Sequence, residues 1–267
     1  MSFTYNPPTN LNFSAASSSS GTLSWTASTP IGGGGGGGSG TDPLFADVGL
    51  LLHMDNVGSG TFADSSLAAR TVTNLSVVQS ATNPKFGAGS GFFSSGTSPT
   101  GWMNVLVASG DSVDISAGDF TVEGWWYPTT LTGGPPYLPV FFIYDAGAGG
   151  AGGDPIAVVL DQANQRLLSA SNCFGTAIPV GAIGSIPFNT WNHFALVMIS
   201  NHFVAYVNGV ATGAPLAVTR SSLVSSLLSI GGTHFGPSYG GFADEFRVTK
   251  GVGRYTSNFT PPTAPFP

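Results

Sequence analysis

The chain predicts an all-β fold built from many short strands and long loops. Only 7% of its 267 residues are charged, where ordinary soluble domains have roughly a quarter. Glycine (39) and proline (19) are abundant and helix formers scarce, a balance that favours pleated strands and turns over helices. Several short runs alternate apolar and polar residues with a period of two, the spacing of strands with one face in a core. Asn208-Gly209, directly after one such run, is a strong tight-turn signal. At 42% apolar residues the chain has ample core material, enough for one large β domain or two small ones.

Taken in order, residues 1–30 are uncharged and rich in Ser, Thr and Asn, with apolar patches at Leu11/Phe13 and Leu23/Trp25. Pro-Pro-Thr-Asn-Leu-Asn-Phe and Gly-Thr-Leu-Ser-Trp-Thr-Ala resemble the first two strands of a fibronectin type III domain. A lone hairpin is marginal in water, so this stretch reads as an extended N-terminal arm that adds strands to a partner or a neighbouring copy. The alternative is a disordered leader, which has no need of Trp25. Residues 31–43 contain seven consecutive glycines and read as a flexible tether. The Lys-Ser/Thr and following helix of a phosphate-binding loop are missing.

Residues 44–267 are the expected folded domain. Leu-Leu-Leu-His-Met at residues 50–54 reads as a buried strand entering a turn at Asp55-Asn56, and residues 63–66 as a second turn. Residues 85–93 form a kinked strand segment. Along residues 120–127, Phe120, Val122 and Trp126 face one way, and Thr121, Glu123, Trp125 and Tyr127 the other. Residues 138–144, 191–199, 203–207 and 227–230 are further strands, the first of them between two long loops. In residues 241–249 alternation sets Phe242, Asp244, Phe246 and Val248 on the apolar face, opposite Ala243, Glu245 and Arg247. A carboxylate there must be met by backbone N–H groups, a cation or a metal. Pro261, Pro262, Pro265 and Pro267 then end the sheet.

These pieces, ending in Asp-Glu-Phe-Arg-Val-Thr-Lys-Gly-Val-Gly-Arg-Tyr, resemble in order the laminin-G-like, concanavalin A-type jelly rolls of tailed-phage structural proteins. The resemblance implies a concanavalin A-like sandwich of two antiparallel sheets. It also implies a non-enzymatic virion protein, foremost a capsid decoration protein showing a lectin-like domain on the virion surface. A carbohydrate-binding tail or fibre adhesin is the alternative. Partners would be the major capsid protein or tail proteins, gripped through Leu11, Phe13, Leu23 and Trp25, with sibling subunits and host-surface glycans as further partners. Many relatives bind calcium near the turn after the first strand. Asp64 and Asp244 match those positions, and Asp55 could add oxygens. Otherwise Asp244 accepts backbone N–H bonds from the Asp64 turn.

Other chemistry is sparse. A net charge of −6 without a basic run excludes general phosphate-backbone binding, and the apolar stretches are too interrupted to span a membrane. The N-terminus does not read as a signal peptide. Cys173 is the sole cysteine, which rules out an internal disulfide and reads as a buried hydrophobe rather than a catalytic thiol. His53, His193, His202 and His234 lack metal spacing, and His193 reads as structural. Glu123 and Glu245 are the only glutamates and lie on different strands. Adjacent Asp244 and Glu245 should face opposite ways and so cannot pair with one another; a cross-strand Glu123–Asp244 pair stays open, though nothing in the sequence suggests it. Exposed aromatics could bind glycans. Trp102, Trp125, Tyr127, Tyr137, Tyr144 and Tyr239 are candidates, with Tyr137 and Tyr239 least core-like because Gly and Pro flank them.

Overall fold

The computed structural model describes residues 41–94, 101–129, 137–144, 156–161, 166–171, 178–217, 227–232 and 239–267. Sixteen strands, all paired antiparallel, form two sheets among these residues. The chain passes repeatedly between the two sheets, jelly-roll fashion, with the four strands of residues 137–185 consecutive in one sheet and the four of residues 192–217 consecutive in the other. No described helix is long and apolar enough to cross a membrane.

The larger sheet contains β1 (Val48–Leu52), β3 (Val78–Ser80), β4 (Ser90–Phe93), β6 (Phe120–Pro128), β11 (Asn192–Ile199), β12 (His202–Val207), β13 (Val210–Ala211), β14 (Leu216–Ala217) and β16 (Gly241–Lys250). Its path runs β13-β12-β11-β6-β16-β4-β3, with β1 beside β16 and β14 beside β12. The smaller sheet contains β2 (Val72–Leu75), β5 (Trp102–Leu106), β7 (Tyr137–Tyr144), β8 (Ile156–Asp161), β9 (Arg166–Ser171), β10 (Ile178–Ser185) and β15 (Leu227–Ile230). Its order is β10-β9-β8-β7-β15-β5-β2. Pro139, inside β7, sits at a register shift, as a residue that cannot donate to the ladder requires.

The core lies between the sheets. Leu50, Leu52, Phe93, Phe120, Val122, Trp126, Phe194, Leu196, Phe246 and Val248 of the larger sheet meet Met103, Val105, Val140, Val158, Leu160, Leu228 and Ile230 of the smaller one. The inward set expected on β6 is the one observed. Asn208 and Gly209 take φ of 51° and 77° and join β12 to β13 through the pair Val207–Val210. That is the mirror-image turn their sequence predicts.

Two expectations change here. Asp42, assigned to the tether, is built into the domain, its carboxylate holding Arg247 and Arg254. The alternation of β16 also breaks. Asp244 pairs with Trp125 and Arg247 with Glu123, so two residues of β16 oppose one of β6. Glu245 adopts φ 53° there, a β-bulge. Before the bulge Ala243 faces the core and Phe242 faces out; after it Phe246 and Val248 face in. Residues 1–40, with Leu11, Phe13, Leu23, Trp25 and the glycine run, lie outside the described residues, as do Cys173, His234 and the loops around β7.

Candidate functional site

The outer face of the larger sheet, opposite the core, carries the buried charges Glu123, Asp244, Glu245 and Arg247. The chain after β16 turns back across it. Tyr255 and Phe259 stack at 3.6 Å and 6°, and the Phe266 ring lies 3.8 Å from the Arg247 guanidinium. Beneath this strap Glu123 Oε1 accepts from Arg247 Nε (3.0 Å) and Nη2 (2.7 Å), and Oε2 accepts from the Tyr255 hydroxyl (2.6 Å). Asp42 accepts from Arg247 and Arg254, and His193 Nε2 stands 3.4 Å from Glu123 Oε2. Burial alone would push the Glu123 pKa up; the charge of Arg247, then His193 and Arg254, holds it well below the usual carboxylate range. These charges are paired and buried, so they lock the strap and offer nothing to a ligand.

Beside this network, the bulge brings two carboxylates to the same face. The expectation that Asp244 and Glu245 point oppositely fails because the bulge inserts a residue between them and their partners on β6. Glu245 accepts from Phe266 N–H (2.8 Å) and pairs with His53 Nδ1 (2.9 Å), which raises the His53 pKa. Asp244 Oδ2 accepts from the Lys85 and Phe86 N–H groups (2.9 and 3.1 Å), while Oδ1 is buried without a hydrogen-bond partner. Desolvation pushes the Asp244 pKa up to about 7. Lys85 Nζ rests 3.9 Å above the Trp125 ring.

The expected calcium ligands are not gathered. Asp64 takes four donors, from Leu51 N–H, Ser66 N–H and hydroxyl, and Arg70 N–H. Asp55 Oδ1 accepts from Ala88 and Gly89 N–H (2.8 and 3.1 Å). Asp244 is met by backbone N–H groups as the alternative required, but from Lys85 and Phe86 rather than the Asp64 turn. Donors aimed at an oxygen occupy the lone pairs a cation would use. Among the described residues no group of three or more His, Cys, Asp or Glu is placed to hold a metal ion.

The glycan candidates also move. Tyr239 is 1% exposed, its ring against Phe93 and Trp126 and its hydroxyl donating to the Phe242 carbonyl (3.2 Å). Its flanking glycines mark a tight entry into β16, not an exposed loop. Tyr137 opens β7, paired with Asp161, and its side chain lies outside the description. Tyr127, however, belongs to a row of aromatics on the outer face. Phe92 and Phe242 are 5.2 Å apart between ring centroids, Phe242 and Tyr127 5.9 Å, and Tyr127 and Trp191 5.6 Å. Phe92 and neighbouring Val78 are 40% and 43% exposed, and Tyr127 and Trp191 are partly exposed.

Alternation had given Phe242 to the core, and Phe92 and Trp191 were not singled out. The doublets Phe92-Phe93 and Trp125-Trp126 carried the signal, since one ring of each must point away from the core. At the far end of the same face a groove of about 500 Å³ lies between Val197, Val204, Tyr206 and Pro215 of the sheet edge and Tyr255 and Ser257 of the strap.

A family model described as the concanavalin A-like lectin/glucanases superfamily, of laminin-G type, matches residues 100–252. No curated protein matches the chain. Similar solved structures include domain 4 of AbnA, an extracellular arabinanase from Geobacillus stearothermophilus, in complex with arabinotriose. That match has 16% identity and a TM-score of 0.53, over 78% of this chain and 94% of that one. Trypanosoma rangeli sialidase in complex with sialic acid has 15% identity and a TM-score of 0.57, over 80% of this chain but 31% of the sialidase. A botulinum neurotoxin type C structure, whose cell entry depends on two ganglioside molecules, has 12% identity and a TM-score of 0.57, over 77% and 48%. The chain thus spans about a third of the sialidase and half of the toxin chain.

Proposed function

The chain belongs to the laminin-G-type family of the concanavalin A-like lectin/glucanases superfamily, and on that footing we propose that it is a non-enzymatic, carbohydrate-binding display protein. The observation that carries the reading is the cluster of Phe92, Tyr127 and Trp191, each partly exposed around a buried Phe242, with Lys85 over the neighbouring Trp125. Rings stack on the apolar faces of sugars while neighbouring polar groups meet hydroxyls. The glycan complexes formed by proteins of similar fold support it. The absence of catalysis is supported by burial, since Glu123, Asp244 and Glu245 are each 1% exposed and out of a substrate's reach.

A display role on a phage virion is the second reading, and the arm followed by a glycine tether in the sequence favours it. There the domain would be held at the virion surface, with capsid or tail proteins as partners and host glycans as what it meets.

An array of bacterial surface polysaccharides, probed with multivalent protein, tests the first reading. At least one glycan should bind, and Phe92→Ala or Tyr127→Ala should weaken it about fivefold to tenfold, the worth of one stacking contact. Binding unaffected by both changes would remove the row from the site, and silence across the array would leave display alone.

A further inference from the structure

Resting on the reading of this aromatic cluster as a glycan site, we infer that its ligand is an acidic saccharide, one sugar seated in the corner between Tyr127 and Trp191 and its acidic group meeting the Lys85 ammonium. The rings form a corner rather than a platform. Tyr127 and Trp191 stand 5.6 Å apart at 63°, and Tyr127 and Phe242 meet at 80°. Rings so inclined offer one face and one edge, which suits a single sugar packed on one ring and steadied by the other. Tyr127 and Trp191 are both partly exposed, whereas Phe242 is 8% exposed and serves as floor.

Lys85 supplies the charge. Its own N–H and that of Phe86 donate to Asp244 Oδ2, which holds the backbone of this segment against β16. Its side chain then runs over β6 until Nζ lies 3.9 Å above the Trp125 ring and 5.3 Å from the Phe86 centroid. Trp125 and Tyr127 share the outer face two residues apart, about 7 Å along the strand. A carboxylate or sulfate on the seated sugar, plus a charge-assisted hydrogen bond of about 2.8 Å, covers that gap. The two rings attract the ammonium through their π faces. No hydrogen bond or ion pair to a described residue takes any of its three donors. The carboxylate whose charge is felt at Lys85 is that of Asp244, which is 1% exposed, with Glu245 equally buried beside it. Neither reaches a ligand, and Asp55 is turned onto the Ala88 and Gly89 N–H groups. A partly buried cation with open donors, next to an apolar corner, is matched by an anion carried on a ring with an apolar face. A lone ammonium reads charge rather than the planar geometry an arginine selects, so carboxylated and sulfated sugars share the site.

Titration calorimetry on the full chain tests this in two arms. One compares short oligogalacturonides, and the strongest carboxylated array hit, with their methyl-esterified forms; the other compares sulfated galactan oligomers with their desulfated forms. In at least one arm the acidic form should bind about fivefold tighter at low salt, the worth of one partly exposed ion pair, and the gap should close as salt rises. The arm that does so names the anion. Lys85→Arg should keep the preference. Lys85→Met, which retains the stem and the backbone bonds to Asp244, should erase or reverse it, because a chain of net charge −6 repels anions once the ammonium is gone. Tyr127→Ala should weaken acidic and neutral forms alike, about fivefold to tenfold. Array hits that are all uncharged, equal affinities within both arms, or a preference that survives Lys85→Met overturn the inference while glycan binding stands. Binding of no oligomer and no array glycan overturns both.

Discussion

Asp244 holds a carboxyl group where one oxygen is satisfied by two backbone donors and the other by nothing. Burial is the main cause of its raised pKa, about 7 against an ordinary 3.8. The folded chain therefore keeps a proton that the unfolded chain releases, and stability from this group falls as pH rises from about 4 to about 7. Three pH units correspond to on the order of 4 kcal/mol. His53, raised chiefly by its bond to Glu245, acts in the same direction, contributing below its ordinary value and losing that contribution as pH climbs through the folded one. The lowered carboxylates Asp42, Asp111, Asp114 and Glu123 act oppositely, losing stability as pH falls. Thermal melting should thus peak near pH 5 and decline towards pH 8, and Asp244→Asn should flatten most of that decline. Melting that is level or rising across this interval would show that Asp244 is ionised in the fold.

At the scale of elements, strands with unbroken alternation were legible: β6, β11, β12, β15 and the Asn208-Gly209 hairpin all fall where period and turn chemistry put them. The short β2, β3, β13 and β14 carry too few alternating positions to be singled out, and β5, β8, β9 and β10 lack a clean alternation of apolar and polar residues. The site was less legible than the fold, for one reason. A bulge has no period, so nothing in Phe-Ala-Asp-Glu-Phe announced that Phe242 would face outward and Asp244 and Glu245 would share a face. The strap was equally hidden, its aromatic residues gaining meaning only where they land. One landing point is Gly209, whose added Cβ would come within 1.9 Å of the Phe259 carbonyl, while Phe259 N–H donates to the Gly209 carbonyl (2.9 Å). Gly58 has a similar φ of +81° with nothing within 4 Å. Gly58→Ala should cost about 1–2 kcal/mol, the backbone strain alone. Gly209→Ala should cost clearly more and speed proteolysis within residues 251–267. Equal losses from the two changes would mean that the strap adds nothing to stability.

On the scale of the whole molecule, the main core cluster runs from Leu50 to Val248, and the sandwich closes where β1, at the start of the domain, pairs with β16 near its end. The described members of that cluster all lie within residues 50–248. Asp42 is different: its side chain is 4% exposed and holds two arginines that are 5% and 9% exposed. A chain beginning at Thr41 should melt within about 2 °C of the full chain and keep its affinity for a monovalent oligosaccharide. A chain beginning at Phe45 loses only four more residues but strands Arg247 and Arg254 beside Glu123, and breaking a buried pair costs about 3–5 kcal/mol. The boundary of the domain is therefore a matter of charge rather than apolar contact, and Asp42→Asn in the full chain should reproduce most of the loss. If the shorter chain and Asp42→Asn both melt like the full protein, Asp42 belongs to the tether after all. If the chain from Thr41 is itself destabilised, the first forty residues contribute to the fold and cannot serve only as an arm for attachment.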